Sequence, residues 1–332
     1  MKIIFSESSN LNNSVYGNCQ APIKMFLEKR GEEFEQNSVL KNLFLMGSSK
    51  NYGDVMTTLT AMSGFEPVGE NGAYPLDGMQ EGYQKFLKYQ TWKDSFSVSK
   101  EMIEDGKLLD MRKQPAAFMT SYKRTRELFG AALYGAAMMG NGSVTFKGVK
   151  FDLTGADGSN LFAKEHVPKV SGEKQCNCFK DAFSVDTLGK LETKMHLFRG
   201  DNDEILDVAP DTILIPENAD LKKAVFAAIG ADKDPVSANN AFNYQYGRWN
   251  VIVWPYLNHY ITNGVSPWVL LDSKYNETYG GAVWNDRIQL EARSTIDENT
   301  DANVWRGRSR FNACFNDWRF AAIGGIAAGN SL

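Results

Sequence analysis

Residues Asp211–Gly230 read DTILIPENADLKKAVFAAIG and constrain the fold more than any other stretch of this chain. Thr212–Ile215 is short, apolar and β-branched, the pattern of a strand buried on both faces. Pro216 ends it. Asn218 then offers an N-cap to a helix in which Leu221, Ala224, Val225, Ala228 and Ile229 recur on one stripe. Gly230 is expected to stop that helix in the left-handed conformation. A buried strand, a proline and an amphipathic helix recur in many α/β proteins, so the rest of the chain must discriminate.

Trp249–Trp254 and Trp268–Leu271 carry apolar residues on both parities, as strands of a sheet covered on both sides do. A helix is expected over Val185–Leu197. Earlier, Ser99 can cap a short helix through Asp105, and a long helix is expected from Pro115 to Met139, spanning ~37 Å at 1.5 Å per residue. Phe118, Tyr122, Phe129, Leu133 and Ala136 form its stripe, and Lys123, Arg124 and Arg126 are assigned to its polar face. Toward the C-terminus the period changes to two. Ile288, Leu290, Ala292 and Ile296 alternate with Arg287, Gln289, Glu291 and Arg293, and the turn DENTDA (297–302) leads into Asn303–Phe315. There Trp305, Phe311, Ala313 and Phe315 share one parity, and Arg306, Arg308 and Arg310 the other.

The net charge of −4 argues against a dedicated nucleic-acid binder, although a local basic patch leaves room for weak contact with DNA. No apolar run approaches the roughly 18 residues of a membrane helix, and the N-terminus lacks a signal-peptide core, so a cytoplasmic site of synthesis is expected. The four cysteines, Cys19, Cys176, Cys178 and Cys314, suit a reducing compartment. Cys176 and Cys178 with His166 invite a zinc reading. The C-x-C spacing is not that of a zinc knuckle, and reduced thiols in a loop are the expectation, with no cofactor and no metal. Phosphate-binding, dinucleotide-binding, zinc-protease and serine-hydrolase motifs are all lacking, and His166, His196 and His259 have no recognisable catalytic partners. No catalytic residue is assigned, and a non-enzyme is expected.

Four blocks agree in order and spacing: DGSNLFAKEHVPKVSG (157–172), the opening strand–helix unit, RWNVIVWPYL with WVLLDS, and FNACFNDWRFAAIGG. In that order they resemble the major head (capsid) subunit of Mu-like tailed phages, from about Tyr52 to Gly325. The resemblance implies an α+β chain with the Hong Kong 97-type capsid fold. Its parts would be an N-terminal arm over 1–63 and an extended loop hairpin over 64–97. A peripheral domain with the long spine helix would take 98–183 and 274–332, around an axial domain with a central sheet over 184–273.

The implied function is structural: pentamers and hexamers that close an icosahedral head around double-stranded DNA in the virion, assembled in the bacterial host cytoplasm. Implied partners are the chain itself, a scaffolding protein and portal, weakly held DNA and a decoration protein, with no membrane. An isolated two-stranded ribbon is marginal in water, so the extended loop is expected to dock on a neighbour. Phe86, Tyr89 and Trp92 are its expected anchors, with Lys85 and Lys88 on the rim. A hairpin folded back on its own domain is the alternative. The acidic turn, Asp297, Glu298 and Asp301, is expected where three subunits converge, facing Arg306, Arg308 and Arg310 of a neighbour. The covalent crosslinking of the fold's namesake, lysine to asparagine, is not expected. Lys85 or Lys88 could meet Asn299 or Asn303, but no motif fixes that geometry. An encapsulin-like compartment and a soluble carbohydrate-active or carbohydrate-binding α+β protein stand as alternatives.

Overall fold

The computed structural model describes residues 3–7, 17–59, 65, 67–70, 72–74, 76, 81–105, 108–170, 172–230, 243–262 and 264–332. In chain order these form β1 (Ile4–Glu7), α1 (Gly17–Gln36), α2 (Leu40–Leu43), β2 (Leu45–Ser48), β3 (Gly53–Leu59), β4 (Glu81–Lys88) and β5 (Gln90–Val98). Next come α3 (Lys100–Glu104), α4 (Leu108–Met138), β6 (Ser143–Phe146), β7 (Val149–Asp152), α5 (Val185–His196), β8 (Thr212–Ile215), α6 (Ala219–Ile229) and β9 (Asn250–Val253). The chain ends with β10 (Trp268–Leu271), α7 (Ser273–Tyr279), β11 (Ala282–Ile296), β12 (Asn303–Phe315) and β13 (Ala321–Gly324).

Two sheets organise the molecule. The first runs β1-β11-β12-β5, with β2 adding in parallel to β11. Its centre is the expected hairpin, paired from Ala282↔Phe315 to Ile296↔Asn303 with register shifts between Asp286 and Glu291. Leu290, Ala292, Trp305, Phe311, Ala313 and Phe315 point inward, whereas Arg306 and Arg308 are exposed. The second sheet is β13-β10-β8-β9, where β8 and β9 are parallel and the other pairs antiparallel. β8, β10 and β13 are buried along their whole length, as apolar residues on both parities require. Asn218 caps α6, accepting from the N–H groups of Asp220 and Leu221 at 3.0 and 3.2 Å.

The long helix α4 buries Phe118, Tyr122, Phe129, Leu133 and Ala136. Its last turns are small on all sides because neighbours press close. A Cβ on Gly130 would sit 2.4 Å from the Leu40 side chain, and one on Gly135 would sit 2.7 Å from Tyr260. Lys147 and Gly148, with φ of 47° and 81°, make a two-residue left-handed turn joining β6 to β7.

Several expectations are corrected. The helix begins at Leu108, so Pro115 lies inside it rather than in its first turn. A proline there forfeits one ladder hydrogen bond, a loss the rest of a 31-residue helix absorbs. Arg126 is not on a polar face but buried, held by Asp286. Gly230 has a right-handed φ of −90°, because its N–H still donates to Phe226 O in helical fashion at 2.9 Å. Glycine is required there by proximity, since a Cβ would lie 2.5 Å from that carbonyl.

The N-terminal stretch packs onto the body of the chain. Leu27, Leu40, Leu43 and Phe44 are in the core, and β1 and β2 both pair with β11. The ribbon is β3 with β4, Val55 opposite Phe86. The strand placed in it by the sequence, β5, instead pairs with β12 along Gln90–Val98. Trp92, Phe96 and Val98 draw it onto the apolar face above α4.

Candidate assembly surfaces

The ribbon is tied at its root by a carboxylate. Asp54 on β3 accepts from the Ser49 hydroxyl at 2.9 Å, the Asn51 amide at 3.0 Å, and the Tyr89 hydroxyl. Burial disfavours the Asp54 charge, but these hydrogen bonds outweigh it and hold the carboxyl below its ordinary value. Along its length the ribbon rides on its own subunit. Lys85 pairs with Asp152 at 3.2 Å and donates to Thr154 O, while Lys169 donates to Glu81 O at 3.1 Å. Tyr83 donates its hydroxyl to Val167 O at 3.4 Å.

The three expected anchors do not share a face. Phe86 is exposed beside Val55. Tyr89 is buried with Leu87 and Cys314, and burial, with the hydrogen bond to Asp54, raises its phenol above the ordinary value. Trp92 stacks on Phe311 at 5.2 Å and meets Phe129 at 5.6 Å, inside the subunit. Other large apolar groups are uncovered as well. Phe65, Tyr74 and Leu76, in the loop between β3 and β4, are fully exposed. The sequence hid them among glycine, proline and asparagine, where they read as turn residues.

The turn 297–302 closes the hairpin as expected. Asp297 accepts from the Asn299 N–H at 3.3 Å and the Thr300 hydroxyl at 2.9 Å, while Glu298 and Asp301 are exposed. Asp301 has a positive φ of 49°. Arg306 and Arg308 project from the solvent side of β12, and Arg310 is half-buried.

The histidines have structural settings. His166 Nδ1 lies 2.7 Å from Asp157 Oδ2, and Nε2 lies 3.1 Å from Asn177 Oδ1. The Asn177 amide nitrogen donates to Leu161 O and Ala321 O at 2.9 and 3.0 Å, so its oxygen must accept from His166. The imidazole stacks on Trp318 at 4.1 Å. Next to it, Arg319 is held by Asp201 and Asp317 at 2.7 and 3.2 Å. His196 meets Asp207 at 3.1 Å, and the His259 ring lies edge-on to Tyr260.

Among the described residues, no three metal-ligating side chains converge. Cys176, Cys178 and Cys314 are free thiols, and burial, with Cys176 nearby, pushes the Cys178 thiol up to about 11. No helix among the described residues is long and apolar enough to cross a membrane.

The sequence profile of the family described as "Phage capsid protein" matches residues 83–324. No curated protein matches the chain. Among solved structures, the chain is similar to a protein of Mycobacterium phage Patience, at 14% identity over 100% of this chain and 94% of that one, with a TM-score of 0.48. It is similar to the capsid of Myoviridae phage XM1 at 10% identity over 87% and 92% of the two chains, with a TM-score of 0.48. A virus-like particle from Pyrococcus furiosus shares 10% identity over 91% and 97%, with a TM-score of 0.46.

Proposed function

Because this chain belongs to the phage capsid protein family, we propose that it is the major head subunit of a tailed double-stranded DNA phage, Mu-like and with the Hong Kong 97-type fold. Many copies form pentamers and hexamers that tile an icosahedral shell, first around a scaffolding protein and a portal, later around DNA. A decoration protein would bind the finished shell. The chain acts by geometry rather than by catalysis.

The observation that carries this reading is the bare loop at the end of the ribbon. Phe65, Tyr74 and Leu76 find no cover on their own subunit. Several large apolar side chains left fully exposed between one pair of strands mark a surface that another molecule covers. In a shell made of one chain, that molecule is a second copy. Each such contact can be modest, because a subunit held by several neighbours leaves only when all contacts break together. Expansion on maturation follows from rotation about these contacts while the two-sheet core stays rigid.

Particles isolated from the virus-producing host test the reading. They are expected to protect genome-length double-stranded DNA from nuclease. Particles that hold a protein cargo and no nucleic acid would replace this reading with the encapsulin-like one.

A further inference from the structure

The solvent face of the hairpin sheet sets like charges directly opposite one another. Arg293 of β11 faces Arg306 of β12, and Arg308 of β12 faces Lys93 of β5. All four side chains are exposed. Like charges in direct register across strands destabilise a sheet, so this arrangement works against the fold that carries it. Among the described residues, the one carboxylate within ion-pair distance of the four is Glu291, 3.9 Å from Arg308. Asp94, the other acidic neighbour, accepts hydrogen bonds from Ser121 and from the Ser95 N–H. The chain as a whole carries a net charge of −4, so the excess of cations is local.

We infer that this face binds the phosphodiester backbone of duplex DNA. Strand geometry puts Arg306 and Arg308 about 6.8 Å apart along β12, with Arg293 and Lys93 about 4.8 Å to either side. A repeating polyanion satisfies such a spread of cations better than a single ion does. Guanidinium groups also match phosphate oxygens in pairs. An acidic protein segment is the other class of partner, for example the turn 297–302 of a second copy. That turn offers the exposed Glu298 and Asp301 but spans only a few residues, whereas a duplex continues its row of charges past all four cations. That DNA lies within reach rests on the capsid reading above; the binding face stands on its own charges.

The test is a titration of the expressed chain with a short fluorescent DNA duplex at several KCl concentrations. It compares the parent with the double variant Arg306→Gln/Arg308→Gln. Neutralising both side chains relieves the repulsion across the strands, so the melting temperature should equal or exceed the parent's and serves as the folding control. If four phosphates are neutralised, parent affinity should fall about 150-fold between 50 and 200 mM salt. The variant, with two contacts left, should fall only about 12-fold and bind more weakly at low salt. Equal affinity and equal salt dependence in the two proteins would overturn the inference. So would a variant that binds DNA like the parent but no longer assembles, since that would make this face a contact between subunits. Whether the parent forms shells is read separately by microscopy, so the capsid reading can fail without deciding the titration.

Discussion

Arg126 on α4 and Asp286 on β11 form a two-pronged ion pair, with the guanidinium nitrogens 2.8 and 3.0 Å from the two carboxylate oxygens. The same guanidinium lies over the rings of Trp284 and Phe311, 4.8 and 4.9 Å from their centroids. This pair fixes α4 against the sheet at the point where the hairpin register shifts. Replacing Asp286 by Ala leaves a buried cation without its partner and should cost about 3 kcal/mol in urea unfolding. The double variant Arg126→Met/Asp286→Ala should cost less than the sum of the single changes, by at least about 1 kcal/mol. Additive costs would show that the two groups do not act together.

Trp92 and the ribbon loop should separate folding from assembly. Trp92→Ala removes a ring from the cluster around Phe129 and Phe311 and should destabilise the subunit by about 3 kcal/mol. Phe65→Ser, Tyr74→Ser and Leu76→Ser together should change subunit unfolding by no more than about 0.5 kcal/mol per site. That triple variant should nonetheless give fewer shells, or shells that fall apart at lower denaturant. Shells with parental resistance would show that the loop is not a clamp.

The hairpin β11–β12 was legible because its alternation runs long enough to fix period, face and turn together, down to Ile296 opposite Asn303. The cap at Asn218 was legible because it depends on local chemistry. Arg126 was misplaced for the opposite reason: its burial depends on Asp286, 160 residues away in sequence. The pairing of β1 and β2 with β11 is equally non-local, and short strands carry little periodicity. Among the candidate surface residues, alternation put Arg306 and Arg308 on the outer face correctly. Aromatic identity alone could not tell the buried Tyr89 and the half-buried Trp92 from the exposed Phe86.

Glu127 gives a dependence on pH. Burial raises its carboxyl above the ordinary value of 4.5, and hydrogen bonds from Ser38 and Trp254 offset this only in part. The folded chain therefore holds that proton more tightly than the unfolded chain does. The resulting stability is fully present below the unfolded value and is lost as pH rises through the folded one. Glu127→Gln removes this component, so the variant should gain stability relative to the parent between pH 4 and pH 7. A difference in urea midpoint that stays constant across that range would contradict the assignment.

Mature particles boiled in detergent should run as single chains. Lys85 is engaged by Asp152 and Thr154, and Asn303 is buried, which leaves neither free to form an isopeptide bond. Ladders of covalent multimers would mean that Lys88 and Asn299, both exposed, meet across a contact.

Negative-stain microscopy of the purified chain, with its elution volume on a sizing column, tests the central claim most directly. The account predicts closed shells of uniform diameter, or the pentamers and hexamers that build them, eluting far above the mass of one chain. A monodisperse monomer or dimer that forms no larger particle at any salt or protein concentration would contradict it.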